Sequence, residues 1–162
     1  MGAPTIVRVL NNTNYELTYH NTQSGKKEKV PVKSDRYENE DWVPGSDYAS
    51  DPLPDYTTNK AVEVSLGSMS PMKFSNEDGN FSIVYPNEYG EAVQVRPKNA
   101  KAVNGKEYVI RINAVRETET VSKAEAYIYE YNSDLGKTGY IVASVLQSAA
   151  VVVALVLMAI FL

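Results

Sequence analysis

The C-terminal end of the chain carries no charged residue over its last 25 positions, 138–162. Within it, residues 141–162 form a run of 22 residues rich in Val, Ala, Leu and Ile. As a helix at about 1.5 Å per residue, this run measures about 33 Å, enough to cross a hydrocarbon core of about 30 Å. The run predicts a transmembrane or assembly helix. It divides the chain into a polar domain (1–134), a short linker (135–140) and the helix.

The tail is compatible with three modes of attachment. The N-terminus lacks the features of a secretory signal, because its apolar stretch, residues 6–10, is short and interrupted by Arg8. We therefore expect a single-pass, tail-anchored membrane protein with a cytosolic N-terminal domain. The second mode is a GPI signal, with the domain at the cell surface if an export signal was removed. The third places the helix in the core of a filament or of a large membrane complex.

One stripe of the predicted helix carries small or polar residues. It consists of Ala143, Gln147, Ala150 and Ala154. Small residues let two helices approach closely, and an intramembrane Gln can form a hydrogen bond to a neighbouring helix. Besides the lipid bilayer, we therefore expect residues 141–162 to contact a second copy or a membrane protein partner.

Apolar and polar residues alternate with a period of two along most of the polar domain. Successive side chains of an extended chain point to opposite faces, so this pattern predicts strands with one buried and one solvated face. The runs are 15–19, 62–66, 81–85, 93–95, 108–112 and 123–131, with shorter candidates at 5–10 and 28–32. About eight strands predict an all-β fold, an antiparallel β-sandwich of the Ig-like or jelly-roll-like type, ahead of the C-terminal hydrophobic helix.

Residues 123–131 show this alternation most clearly. One face carries Ala124, Ala126 and Ile128, and the opposite face carries Tyr127, Tyr129 and Tyr131. Turn residues separate the predicted strands, including Asn-Glu-Asp-Gly at 76–79 and Asn-Gly at 104–105. Such sequences favour tight turns because Asn, Asp and Gly tolerate positive φ.

Residues 34–59 interrupt the pattern and predict a long acidic loop that contains aromatic residues. The segment holds seven carboxylates against Arg36 alone, a net charge of −6. Carboxylates can bind Ca²⁺, and Trp or Tyr faces can stack on sugars or cations. The candidate ligand-binding residues are Tyr37, Trp42, Asp47, Tyr48, Asp51 and Asp55. The alternative is a solvated cover loop with Trp42 anchored in the core.

Other chemistry is sparse in the sequence. The chain has no cysteine and a single histidine, His20, so it offers neither thiolate chemistry nor a familiar nucleophile–base pair. Its net charge of −4 argues against a nucleic-acid partner. We expect no catalytic residue, no cofactor and no resident metal. The predicted function is a non-enzymatic, membrane-anchored interaction module. The rival from another class is a metal-dependent enzyme that uses the acidic loop.

Overall fold

The structure is a computed structural model that describes residues 2–34, 37–45, 60–67, 70–87, 91–96, 101–117, 121–131 and 142–144. Within these residues the fold is all-β and contains no helix. The strands are β1 (Thr5–Asn12), β2 (Leu17–Asn21), β3 (Lys27–Val30), β4 (Tyr37–Trp42), β5 (Val62–Leu66), β6 (Met72–Glu77), β7 (Asn80–Pro86), β8 (Ala92–Val95), β9 (Glu107–Glu117), β10 (Val121–Glu130) and β11 (Val142–Ser144).

The strands form two sheets that are mainly antiparallel. The five-stranded sheet has the order β11-β10-β9-β1-β4, and the six-stranded sheet has the order β3-β2-β5-β6-β7-β8. Only β1 and β9 run parallel to each other among the described neighbours. These two strands lie far apart in the sequence, so no hairpin turn imposes the antiparallel direction on them. The predicted all-β fold with predominantly antiparallel pairing is confirmed for the described residues.

The two sheets share one apolar core. The five-stranded sheet contributes side chains such as Ile6, Ile110 and Ile128, and the six-stranded sheet contributes Tyr19 and Phe74, all fully buried. Each such side chain contributes about 1.5–3 kcal/mol by leaving water. The alternation of buried and exposed positions along β2 and β5 is the period-two pattern of the sequence.

An aromatic contact joins the layers directly. Phe81 of β7 meets Tyr108 of β9 edge to face, with ring centroids 4.7 Å apart. The hairpin between β6 and β7 closes through Asp78 and Gly79, both with positive φ, as the turn signal at 76–79 predicts. The core and this hairpin together fix the register of the central strands.

Three strands lie where the sequence analysis placed none. Residues 37–42, assigned to the long acidic loop, form β4, which pairs with β1 at the edge of its sheet. Its charged sequence is compatible with an edge strand, because no other described strand pairs with its second side. Strand β6 has only two apolar residues, Met72 and Phe74, and its last three residues are polar. Its apolar and polar residues therefore alternate too briefly to indicate a strand in the sequence.

The third unexpected strand is β11. Residues 142–144 pair antiparallel with residues 124–126 of β10, although we expected the hydrophobic helix to begin at residue 141. The sheet therefore continues past residue 134, the predicted end of the domain. The remainder of the predicted helix, residues 145–162, lies outside the described residues. No helix of the described residues is long and apolar enough to cross a membrane.

The strands run between two ends of the molecule, which we call poles. The Trp42 pole contains the end of β4, the turns at 22–26 and 78–79, and the segment 101–106. The Val32 pole contains the turns at 13–16 and 31–34. Ser144, the last residue of β11, lies opposite Ala124 near the start of β10, so β11 runs towards the Val32 pole. The uncharged remainder of the sequence follows β11 directly.

Candidate functional site

Exposed large hydrophobic side chains concentrate at the Trp42 pole. Trp42, Val103 and Tyr131 are 44%, 45% and 38% exposed, respectively. A fourth such side chain among the described residues, Val32, lies at the opposite pole. An exposed aromatic and aliphatic cluster at one end of a domain is a candidate contact surface for a partner.

The strand register places Trp42 and Tyr131 in line across one end of the five-stranded sheet. Thr5 of β1 pairs with Trp42 on one side and with Glu107 of β9 on the other. The backbone N–H of Tyr131 donates to the carbonyl of Glu107 (2.8 Å). Trp42 and Tyr131 thus lie three strand spacings apart, about 14 Å. Val103 belongs to the turn immediately before β9, so it lies at the same end of this sheet.

A buried carboxylate supports the strand end that carries Trp42. Asp41 is 2% exposed and points into the interior, because it precedes Trp42 by one residue on the strand. The Tyr19 hydroxyl donates to Asp41 Oδ2 (3.0 Å), and the Ser24 hydroxyl lies within hydrogen-bond distance of the same oxygen (3.3 Å). Asp41 therefore joins β4 to β2 and to the turn that follows β2.

Asn21 fixes the same corner through the backbone. Its side-chain amide donates to the Trp42 carbonyl (2.9 Å), and its Oδ1 accepts the backbone N–H groups of Gln23 and Ser24. The N–H of Val43 donates to the carbonyl of Pro4 (2.8 Å). With β4 held from both sides, the backbone beneath the Trp42 ring is positioned before any partner binds, which lowers the entropy cost of binding.

Tyr108 holds the segment that carries Val103. Its hydroxyl donates to the carbonyl of Lys101 (2.6 Å) and accepts the N–H of Val103 (3.0 Å). Burial raises the pKa of Tyr108, so the hydroxyl stays protonated at neutral pH. Beside it, Lys106 donates to Glu130 (2.8 Å), and this hydrogen bond raises the pKa of Lys106. The turn at Val103 is therefore anchored to β9 and β10.

The structure places the predicted ligand-binding residues as follows. Trp42 is exposed at its pole and is not anchored in the core, contrary to the cover-loop alternative. Tyr37 pairs with Val9 at the other end of β4, about 17 Å away along the strand, so these two residues do not share a site. The other four, Asp47, Tyr48, Asp51 and Asp55, lie outside the described residues.

Of the predicted helix-association stripe, the structure describes one residue. Ala143 lies in β11 opposite Glu125 of β10. Gln147, Ala150 and Ala154 lie outside the described residues. Val103 and Tyr131 are not among the candidate residues predicted from the sequence. The alternation of 123–131 signalled the outward position of Tyr131, but only the sheet order places it in line with Trp42.

A second polar cluster lies on the outer face of the five-stranded sheet. The guanidinium carbon of Arg111 is 4.4 Å from the ring centroid of Tyr127 and 5.6 Å from that of Tyr129. The Tyr127 hydroxyl donates to Glu125 Oε2 (2.6 Å), which raises the pKa of Tyr127. This stack confirms that Tyr127 and Tyr129 share the face opposite the core. It holds β9 and β10 together by cation–π contacts.

The single histidine belongs to a chain of polar contacts on the outer face of the six-stranded sheet. His20 Nδ1 lies within hydrogen-bond distance of Glu63 (3.3 Å), and Glu63 forms an ion pair with the ammonium of Lys73 (3.5 Å). Such cross-strand polar pairs are ordinary stabilising contacts of a solvated sheet face. Among the described residues, no group of three or more His, Asp or Glu side chains is arranged to hold a metal ion.

No protein-family model matches the chain. Neither a curated protein nor a solved structure matches it.

Proposed function

We propose that the protein is a non-enzymatic, membrane-anchored interaction module that binds a protein partner at the Trp42 pole. Its apolar C-terminal segment serves as the anchor. Within the proposal, the domain is an Ig-like or jelly-roll-like β-sandwich, and the acidic residues of 46–59 contribute to binding. That segment connects to the described structure at Gly45 and Lys60, both at the Trp42 pole.

One observation carries the proposal. The exposed side chains of Trp42, Val103 and Tyr131 lie at one pole, whereas β11, itself part of the uncharged sequence 138–162, runs towards the other pole ahead of residues 145–162. Strand β1 spans 8 residues and its two ends lie at the two poles, so the poles are about 23 Å apart. A domain anchored on the Val32 side would present the Trp42 pole away from the bilayer, where a partner can reach it.

The single tryptophan of the chain makes this orientation measurable. We expect full-length protein to float with phosphatidylcholine vesicles in a density gradient. Fluorescence of Trp42 in these vesicles should be quenched by aqueous acrylamide and unaffected by lipids that carry a quencher on the acyl chain. Quenching by the lipid would place the Trp42 pole against the bilayer and contradict the proposed presentation.

A matched variant moves the probe to the other pole. In Trp42→Phe combined with Val32→Trp, the new tryptophan replaces an exposed side chain. We expect it to be quenched more strongly by the lipid than Trp42. Protein that remains at the bottom of the gradient would refute the anchor. In that case, association of the full chain into large particles would favour a helix in the core of a filament or complex.

A further inference from the structure

The four edge strands of the two sheets differ in charge. Edge strand β3 has the sequence Lys-Glu-Lys-Val, and edge strand β4 has the sequence Tyr-Glu-Asn-Glu-Asp-Trp. Edge strand β8 has the sequence Ala-Val-Gln-Val, and β11 has the sequence Val-Ala-Ser. Charged residues on an edge oppose the addition of another strand, because pairing would bring the charges together and desolvate them. Strands β8 and β11 lack this protection.

The protected and unprotected edges lie on opposite sides of the molecule. Strand β3 packs beside β1, and β11 packs beside β7, the neighbour of β8. One side of the two-sheet structure therefore carries the charged edges β3 and β4. The other side carries the uncharged edges β8 and β11.

The pairing of β8 with β7 determines which backbone groups face outward. The N–H of Asn87 donates to the carbonyl of Glu91 (2.8 Å), and Pro86, which faces Ala92, has no N–H. In an antiparallel ladder, hydrogen-bonded and non-hydrogen-bonded pairs alternate. Val93 therefore exchanges hydrogen bonds with β7, as does Val95.

The backbone groups of the alternate residues, Ala92 and Gln94, point the other way. The N–H and C=O groups of Ala92 and Gln94 are directed away from β7, to the free edge of the sheet. In the described part of the chain no strand pairs with this edge. The edge therefore offers two donors and two acceptors without a charged side chain between them.

We propose that the free edge of β8 is a dimerisation surface, on which β8 of a second copy pairs antiparallel about a two-fold axis at Val93. In this register, Ala92 exchanges two backbone hydrogen bonds with Gln94 of the second copy, and Gln94 exchanges two with Ala92 of that copy. Val93 then faces Val93 of the second copy in a non-hydrogen-bonded pair. All four outward backbone groups of each edge are satisfied by one symmetric contact.

The charges at the ends of β8 favour the antiparallel direction. Glu91 precedes the strand and Arg96 follows it. Both residues are exposed, and each already contacts its own copy: Glu91 accepts from the Asn87 side chain (2.9 Å), and Arg96 Nε donates to Glu77 (2.6 Å). The antiparallel arrangement brings Glu91 of each copy towards the Arg96 end of the other. A parallel arrangement would instead place like charges together. The contact is only four residues long, so we expect a weak dimer that confinement to a membrane surface would strengthen.

Cross-linking tests the register, because the chain contains no native cysteine. The Cα atoms of a non-hydrogen-bonded antiparallel pair lie about 4.5 Å apart, within the range of a disulfide. We expect Val93→Cys in the full-length protein, in mild detergent under air oxidation, to form a disulfide dimer. The matched control is Ala92→Cys on the same edge. In the proposed register the two copies of position 92 are offset by two residues, so their Cα atoms lie more than about 7 Å apart. The disulfide dimer of this control should therefore form at least tenfold more slowly.

A second pair of variants tests the backbone contact. Ala92→Pro removes an outward N–H without removing a hydrogen bond to β7, whereas Ala92→Ser keeps the N–H. We expect Ala92→Pro to abolish the cross-link of Val93→Cys and Ala92→Ser to preserve it. In the wild-type background, Ala92→Pro should sediment as a monomer and Ala92→Ser as a dimer. This measurement is independent of how the cysteine variant folds.

Three results would overturn the proposal. They are equal cross-linking at positions 92 and 93, a cross-link that survives Ala92→Pro, and a wild type that sediments as a monomer at all concentrations in detergent and in vesicles. Because all three concern association alone, they are distinguishable from a failure of the proposed membrane anchor or of the Trp42 pole.

Discussion

Each pole of the domain is closed by a buried asparagine that binds backbone groups, Asn11 at one pole and Asn21 at the other, and the Trp42 pole adds a buried carboxylate. At the Val32 pole, Asn11 is fully buried and its amide lies within hydrogen-bond distance of the carbonyls of Tyr15, Val30 and Pro31. At the Trp42 pole, Asp41 accepts hydrogen bonds from side-chain hydroxyls. Asn11 therefore connects backbone segments to one another, whereas Asp41 connects the side chains of Tyr19 and Ser24 to β4.

This difference has a consequence for what each pole can present. Asn11 also accepts the N–H and hydroxyl of Thr13, so a single amide organises the turn after β1 and the segment after β3. At the Trp42 pole, the fixed part is the strand end, and the aromatic side chain of Trp42 projects from it. Both poles therefore have a turn closed by an asparagine, but only the Trp42 pole also presents an exposed aromatic side chain on a strand end that a buried carboxylate supports.

The largest expected effect comes from removing the amide at the Val32 pole. Asn11→Ala leaves several buried backbone groups without a partner, and each costs about 1–3 kcal/mol, so we expect a loss of about 3–4 kcal/mol in the free energy of unfolding. Urea denaturation followed by circular dichroism measures it. The adjacent control, Asn12→Ala, removes an exposed side chain bonded to Asn113 and should change stability by less than about 0.5 kcal/mol.

A smaller loss is expected at the Trp42 pole. Asp41→Ala leaves the Tyr19 hydroxyl unpaired but also removes a buried carboxylate, so we expect a loss of about 2 kcal/mol in the same urea measurement. Ser24→Ala, which deletes one of the two hydroxyls at Asp41, should cost less than half of that. A larger loss for Asp41→Ala than for Asn11→Ala would reverse the comparison between the poles.

The smallest effect is expected in alkaline solution. Burial raises the pKa of Tyr108 above its ordinary value of 10.0, and the hydrogen bond to Glu125 raises that of Tyr127. The unfolded chain therefore releases these protons at lower pH than the folded chain does. Their contribution to stability is complete below about pH 10 and is lost as the pH rises towards the folded-state pKa values.

Single substitutions separate the two tyrosines. We expect urea denaturation between about pH 9 and 11 to show a shallower fall in stability for Tyr108→Phe and for Tyr127→Phe than for the wild type. Absorbance of the phenolate should show both residues titrating above the ordinary tyrosine value of 10.0. An unchanged pH dependence in Tyr108→Phe would mean that burial does not raise the pKa of this hydroxyl in the folded chain.

Much of the fold could be predicted from the sequence because its signal is local. Alternation predicted eight of the strands, since a period-two pattern needs only neighbouring residues and one buried face. The Asp-Gly signal predicted the turn between β6 and β7 for the same reason. Strand β4 was not predicted, because its sequence is acidic and its strand conformation depends on pairing with the distant β1.

The candidate site likewise has features that local sequence predicts and features that depend on distant pairing. The sequence by itself determined that Trp42 is a candidate binding residue, that Tyr127 and Tyr129 share a face opposite the core, and that an uncharged segment ends the chain. Only the tertiary structure decided that Trp42 lies in line with Tyr131 while Tyr37 lies at the far end of the same strand. It also decided which edges remain unpaired. The reason is that sheet order joins residues far apart in the chain, and no local pattern of side chains specifies which strands become neighbours.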